Sequence, residues 1–181
     1  SASVPQGEVG RVGSIELSLS AIKEARRLTL TLFTGEYRNY YHLWVYPDES
    51  AESEVSVYVT SRLDGDLKKK LENGASVLFI PEHDSILVQS VSGMFNSRPM
   101  ILNATRGEYR PLIQVVDNIE RNHKLGLVFE FAVGKGKLLV CMTDLRAIAD
   151  MPEGRQFRTS LLRYVKSDAF RPVEQLTWEE L

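Results

Sequence analysis

The chain has 181 residues, 43% of them hydrophobic, with 22 basic against 24 acidic side chains and a formal net charge of -2. This balance predicts one packed domain, or one domain with part of another, and excludes a disordered chain. It argues against a dedicated nucleic-acid binder, which needs a basic patch to neutralise phosphates.

No apolar run approaches the ~18 residues of a membrane span. The single cysteine, Cys141, excludes an internal disulfide and a multi-thiolate zinc site. The opening Ser1-Ala2-Ser3-Val4-Pro5 lacks the basic flank and apolar stretch of a secretion signal. The expectation is a cytoplasmic chain, or a mature or excised piece of a larger one.

Strands dominate the first part. Ile15, Leu17 and Leu19 alternate with Glu16 and Ser18, and Leu28, Leu30 and Leu32 alternate with Thr29 and Thr31. A period of two sends one set to a buried face. Tyr41 to Tyr46 is apolar or aromatic at nearly every position, the pattern of a strand covered on both faces. Gly35 and Asn39 suit the turn before it, and Pro47 ends it. Three strands cannot close a sandwich, so residues 1–47 are expected to pack on the following body or to pair with another chain.

Residues 48–54 are polar and acidic, as in a linker or surface loop. Val55 to Thr60 then reads as a β-branched strand. Ser61 with Asp64 resembles a capping box, and Leu63, Leu67 and Leu71 give a short helix one apolar stripe. Lys68, Lys69 and Lys70 suit its C-terminal end, and Asn73-Gly74 its stop. With the strand Ser76–Ile80 this predicts a βαβ unit with parallel strands.

Ile86 to Val88 predicts another short strand, and residues 92–111 read as loop. Leu112–Val116 is a strand. Leu125, Leu127, Phe129 and Phe131, the turn Gly134-Lys135-Gly136, and Leu138, Val140 and Met142 form a hairpin. Asp150 and Glu153 around Pro152 resemble a second capping box. The helix behind them carries Phe157, Leu161, Leu162 and Val165 on one side.

Few positions suggest chemistry. Asp117, Glu120 and Glu130 could form the carboxylate pair of a glycosidase, but they read more simply as a strand end and a solvated turn. Asp144 follows a strand, where open α/β sheets bind ligands, or it caps a turn. Ser92, in Ser90-Val91-Ser92-Gly93, has glycine on one flank only, unlike a nucleophile elbow. Cys141 lies in an apolar strand and reads as inert.

Gly134-Lys135-Gly136 links strands and opens no helix, so it is no phosphate cradle. His42, His83 and His123 lack metal-ligand spacing. Asn103-Ala104-Thr105 matches a glycosylation sequon by letters alone. Trp44, Tyr46 and Trp178 are candidates for stacking on a sugar ring, with core packing the simpler account of Trp44 and Tyr46.

Several strings resemble a known family. Ile119 to Glu130 (IERNHKLGLVFE), Val133 to Cys141 (VGKGKLLVC), and Gln156 with Ser160 to Tyr164 resemble the C-terminal region of glycoside hydrolase family 2 enzymes of the Bacteroides-type β-galactosidase-like kind. Gly13 to Leu19, Leu28 to Leu30 and Leu43 to Pro47 resemble the strands leading into it. The similarity covers most of the chain in order.

The resemblance implies a flavodoxin-like α/β domain with a mixed sheet, similar to class I glutamine amidotransferase domains, at 48–181. It implies a remnant or edge of a β-sandwich-like domain at 1–47. The role implied is a non-catalytic accessory region of an exported or periplasmic carbohydrate-degrading enzyme whose catalytic barrel lies elsewhere. A carbohydrate-binding module and a small amidotransferase-like enzyme using Asp144 or Ser92 are the alternatives.

No catalytic motif of the family's barrel is present to carry over, and no cofactor or metal is expected. The expected partners are the parent's other domains, a second copy through the N-terminal strands, and a glycan. One departure stands out. The family's long aromatic-rich stretch between segments like Gln89–Phe95 and Arg98–Val115 is missing, and the two abut near Phe95-Asn96.

Overall fold

In a computed structural model, residues 5–47, 57–86 and 96–181 are described. The chain divides into two compact units, Ser1–Asp48 and Glu49–Leu181.

The first unit is built on one antiparallel hairpin, β1 (Arg26–Thr34) and β2 (Tyr37–Val45), in unbroken register from Arg26↔Val45 to Thr34↔Tyr37. Two sequence expectations are corrected here. Ile15, Leu17 and Leu19 lie in no strand, and the first two are 61% and 60% exposed. Alternation marks a segment able to pair, but pairing requires a partner edge. Tyr41 to Tyr46 is not covered on both faces, because β2 is exposed along nearly its whole length.

The hairpin's two faces differ in chemistry. Register places Leu28, Leu30 and Leu32 with Tyr41, Leu43 and Val45 on one face, and Arg27, Thr29 and Thr31 with Tyr40, His42 and Trp44 on the other.

The second unit is a mixed α/β fold. Its sheet runs in the order β3 (Tyr58–Thr60), β4 (Ser76–Phe79), β8 (Gly136–Cys141), β7 (Lys124–Val133), β5 (Met100–Ile101). β6 (Ile113–Val116) and β9 (Gln175–Leu176) also pair with β7. β3, β4 and β8 are mutually parallel, and β7 is antiparallel to β8. The expected βαβ unit forms, with α1 (Gly65–Glu72) between β3 and β4. The expected hairpin is β7–β8. Gly134 turns it at φ +59°, the first central position of its two-residue loop, where a side chain would be strained.

Side chains alternate into two cores. Leu67 and Leu71 of α1 pack with Leu127, Phe129, Phe131, Leu138 and Val140. On the opposite face, Leu161, Leu162 and Val165 of α2 (Pro152–Lys166) pack with Leu78, Val128, Leu139, Cys141 and Phe170. One helix per face therefore clamps the β4–β8–β7 centre.

Both expected capping boxes are replaced. Asp64 itself caps α1, its carboxylate accepting from the N–H groups of Asp66 at 3.1 Å and Leu67 at 2.9 Å. Ser61 lies upstream of the helix, and Leu63 is exposed. α2 starts after Met151 without a side-chain cap, and Pro152 supplies the preset φ of its first turn. A capping box does occur where none was expected, between Thr177 and Glu180. Among the described residues, no helix is long and apolar enough to cross a membrane.

Candidate functional site

Because β3, β4 and β8 run parallel, their carboxyl ends share one edge of the sheet, the edge where open α/β sheets present ligand-binding loops. Thr60, Phe79 and Cys141 end the strands. The chain then continues through Ser61-Arg62, Ile80-Pro81-Glu82-His83 and Met142-Thr143-Asp144.

Polar side chains lace these loops together. Ser61 Oγ donates to Glu82 Oε1 at 3.2 Å. His83 Nε2 lies 3.2 Å from the Met142 carbonyl, which can only accept, so Nε2 carries the proton. Arg98 donates to the carbonyls of His83 and of Ile86, the latter at 2.7 Å. Ser97 and Thr143 share a hydroxyl hydrogen bond of 2.9 Å.

Asp144, singled out from sequence, does cap a turn. Its Oδ1 accepts from the Arg146 N–H at 3.1 Å and faces Arg146 Nε at 3.5 Å. Beside it a cleft of about 230 Å³ is lined by Val59, Thr60, Ser61, Ile80, Leu145, Arg146 and Arg158. Sequence reading did not find Thr60, Ser61, Arg146 or Arg158. The signal available for the first two was their place directly after the first strand of a βαβ unit. The two arginines are joined only by the fold.

The remaining candidates do not converge. Asp117 organises its own turn, accepting from the N–H groups of Asn118 at 2.8 Å and His123 at 3.2 Å and from Arg121 at 2.9 Å. Burial works to raise its pKa, but these donors prevail and hold it below the usual carboxylate range. Glu120 is exposed in the same turn. Glu130 sits in β7 and accepts from the Tyr164 hydroxyl at 2.7 Å. Its pKa is raised by burial, against that bond.

Cys141 is fully buried, and burial pushes its thiol up to about 11, the reverse of an activated nucleophile. Asn103 is part of the local framework, its Oδ1 accepting from the Lys124 N–H at 2.8 Å. Ser92, like the strand expected at 86–88 beyond Ile86, the linker at 48–54 and the junction up to Phe95, lies outside the described residues. Among the described residues, no group of three or more His, Cys, Asp or Glu side chains is placed to hold a metal ion.

The aromatic candidates separate. Trp44 is 61% exposed on β2, which corrects the core-packing account, with His42 edge-on at 6.3 Å between ring centroids. Tyr46 is half-buried beyond the strand end. Trp178, in the second unit, is half-buried against the α1-side core, with Lys68 Nζ 5.8 Å from its ring centroid. Trp178 also lines a cleft of about 380 Å³ with Lys68, Glu72 and Gln175. A third and more apolar hollow, about 430 Å³, opens on the α1 face over Phe79, Phe129, Phe131 and Val140.

What these units define is a mixed α/β domain with a polar strand-end edge, accompanied by a β-hairpin unit. Residues 88–181 match a family described as Domain of unknown function (DUF8487), and residues 1–47 match a second, Domain of unknown function (DUF8488). The first match spans more than half of the chain, and the chain belongs to that family. No curated protein matches it.

Proposed function

We propose that the chain is a non-catalytic accessory region of a glycoside hydrolase family 2 enzyme of the β-galactosidase-like type, exported with its parent. In this reading the second unit is an abbreviated flavodoxin-like domain related to class I glutamine amidotransferase domains. The partners are the parent's other domains, and the leucine face of β1–β2 is a surface for them.

One observation carries the reading. Two of the strings that resemble that family, IERNHKLGLVFE and VGKGKLLVC, run from the turn at Ile119–His123 into β7 and from the end of β7 through β8, so the likeness lies in the framework of the domain. The parallel β3–β4–β8 run with helices on opposite faces supports the flavodoxin-like assignment. The buried, proton-retaining Cys141 speaks against an amidotransferase-like thiol. The test is the intact gene product together with an assay of this chain on aryl β-galactosides and β-glucuronides. A catalytic barrel in the same polypeptide and no turnover by this chain are expected. A reading frame without a barrel, or clear hydrolysis, would overturn the proposal.

A second reading, a carbohydrate-binding module, is favoured by one arrangement. Tyr40, His42 and Trp44 share one exposed face of β2, about 7 Å apart from one to the next. Arg27 and the threonine hydroxyls lie opposite on β1 as donors. Trp44→Ala and Tyr40→Ala should then each abolish retention on a β-glycan affinity gel, while Trp178→Ala leaves it intact. Equal retention of all three would remove this reading.

A further inference from the structure

We propose that the cleft at the carboxyl ends of β3 and β4 is a binding site for a small oxyanion, a phosphate or carboxylate group held between Arg146 and Arg158. Among the described residues, the charged side chains that line it are both guanidinium groups. Asp144 and Glu82, the neighbouring carboxylates, do not line it, and each is engaged, with Arg146 and Ser61 respectively.

Arg146 is set for the task. Its main-chain N–H donates to Asp144 Oδ1 at 3.1 Å, which holds the residue at the strand-end turn, and its Nε lies 3.5 Å from the same oxygen. The two terminal amino groups lie outside that contact, on a side chain that is 71% exposed. Arg158 enters from the second turn of α2. It lines the same cleft as Arg146.

Thr60 and Ser61 add hydroxyl groups at the strand end, and Val59, Ile80 and Leu145 give the cleft apolar walls of low polarisability beside the two charges. The volume of about 230 Å³ falls below the ~300–1,000 Å³ of drug-sized ligand sites, which fits a compact anion or one sugar acid. Arginine forks match the planar or tetrahedral oxygens of such groups with paired hydrogen bonds.

The experiment is a ¹⁵N-NMR titration of the whole chain, at constant ionic strength, with sodium phosphate, sodium glucuronate and glucose. Saturable shifts at the amides of Thr60–Arg62 and of Leu145–Arg146 are expected with the anions and not with glucose. Tighter phosphate binding identifies a phosphate-bearing ligand, and tighter glucuronate binding a sugar acid. Arg146→Gln and Arg158→Gln should each weaken binding about tenfold or more. Arg158→Lys, which keeps the charge without the fork, should fall between. Shifts that are absent, unsaturable, spread over other basic residues, or unchanged in the variants would overturn the site.

Discussion

The hydroxyl of Tyr109 donates to the Glu130 carbonyl at 2.9 Å and accepts from the Glu130 N–H at 3.1 Å, standing in for a missing strand residue. On this edge of β7, pairing with β6 stops at Val128 and pairing with β9 resumes at Ala132. Glu130 falls in the gap. The Tyr109 ring stacks on Phe131 with centroids 5.6 Å apart, and burial pushes its hydroxyl up to about 12, so it stays protonated and able to donate. Tyr109→Phe leaves both backbone groups of Glu130 without this partner and should cost about 1–3 kcal/mol. Urea unfolding measures the loss, and faster amide exchange at Glu130 localises it. Unchanged exchange there would contradict the assignment.

Two carboxylates should shape the acid limb of stability in opposite directions. The Arg106 N–H and guanidinium hold Glu174 below the usual carboxylate range, the N–H at 2.9 Å. Its contribution is present above the unfolded value near ~4.3 and is lost as pH falls through the lower folded value. Glu130 is raised, chiefly by burial, so its charged form is disfavoured in the fold, and stability declines as pH rises from ~4.3 through the folded value. Denaturant midpoints across pH 2–7 should therefore flatten at the acid end in Glu174→Gln. In Glu130→Gln they should gain at neutral pH relative to the parent chain.

Gly154 has no room for a side chain. A Cβ there would stand 2.0 Å from the Ile148 carbonyl oxygen, because the first turn of α2 presses on the chain that precedes it. Relief requires a shift of α2 away from the Leu78–Leu139–Cys141 core. Gly154→Ala should cost about 1–3 kcal/mol or more. Gly107, where an added Cβ meets nothing within 4 Å, is the control and should change little. Thermal melts of the two variants make the comparison.

The thiol of Cys141 should be silent in the native chain. It is fully buried and retains its proton up to about 11. Labelling with a thiol-specific disulfide reagent at pH 8 should track unfolding and rise with urea. Immediate stoichiometric labelling without denaturant would place the thiol outside the core.

The start of α1 offers a clean discrimination between sequence pattern and structure. Asp64→Ala removes both cap hydrogen bonds and should cost about 1 kcal/mol. Ser61→Ala removes a bond to Glu82 outside the helix and should leave α1 intact. Helical amide exchange at Asp66 and Leu67 reads the difference.

The sequence showed the centre of the second unit well because its signals are local. Period-two runs such as Leu125–Phe131, a glycine turn and a four-residue leucine spacing each specify backbone geometry without distant partners. The two-residue strands β5 and β9 carry no such period and exist only because β7 has an open edge for them. The aromatic run Tyr41–Tyr46 misled for the converse reason, since apolar character sets a preference for cover and not its supply.

Asp144 could be picked out because it follows a strand. Arg146 and Arg158 could not, because charge on a helix or loop reads as a solvated face until the fold brings two such positions to one hollow. Ser61 and Asp64 are three residues apart, so the spacing suggested the wrong member as the cap.

The late placement of β9 sets an order of events during synthesis. Val133 leaves the ribosome some forty residues before Leu176, its partner on the open edge of β7. At ordinary translation rates that interval lasts roughly 2–8 s. Throughout it, that stretch of nascent edge lacks its closing strand and is open to chaperones or to a neighbouring nascent copy. A synonymous change that slows translation between these two positions would lengthen that exposure without altering one atom of the finished protein.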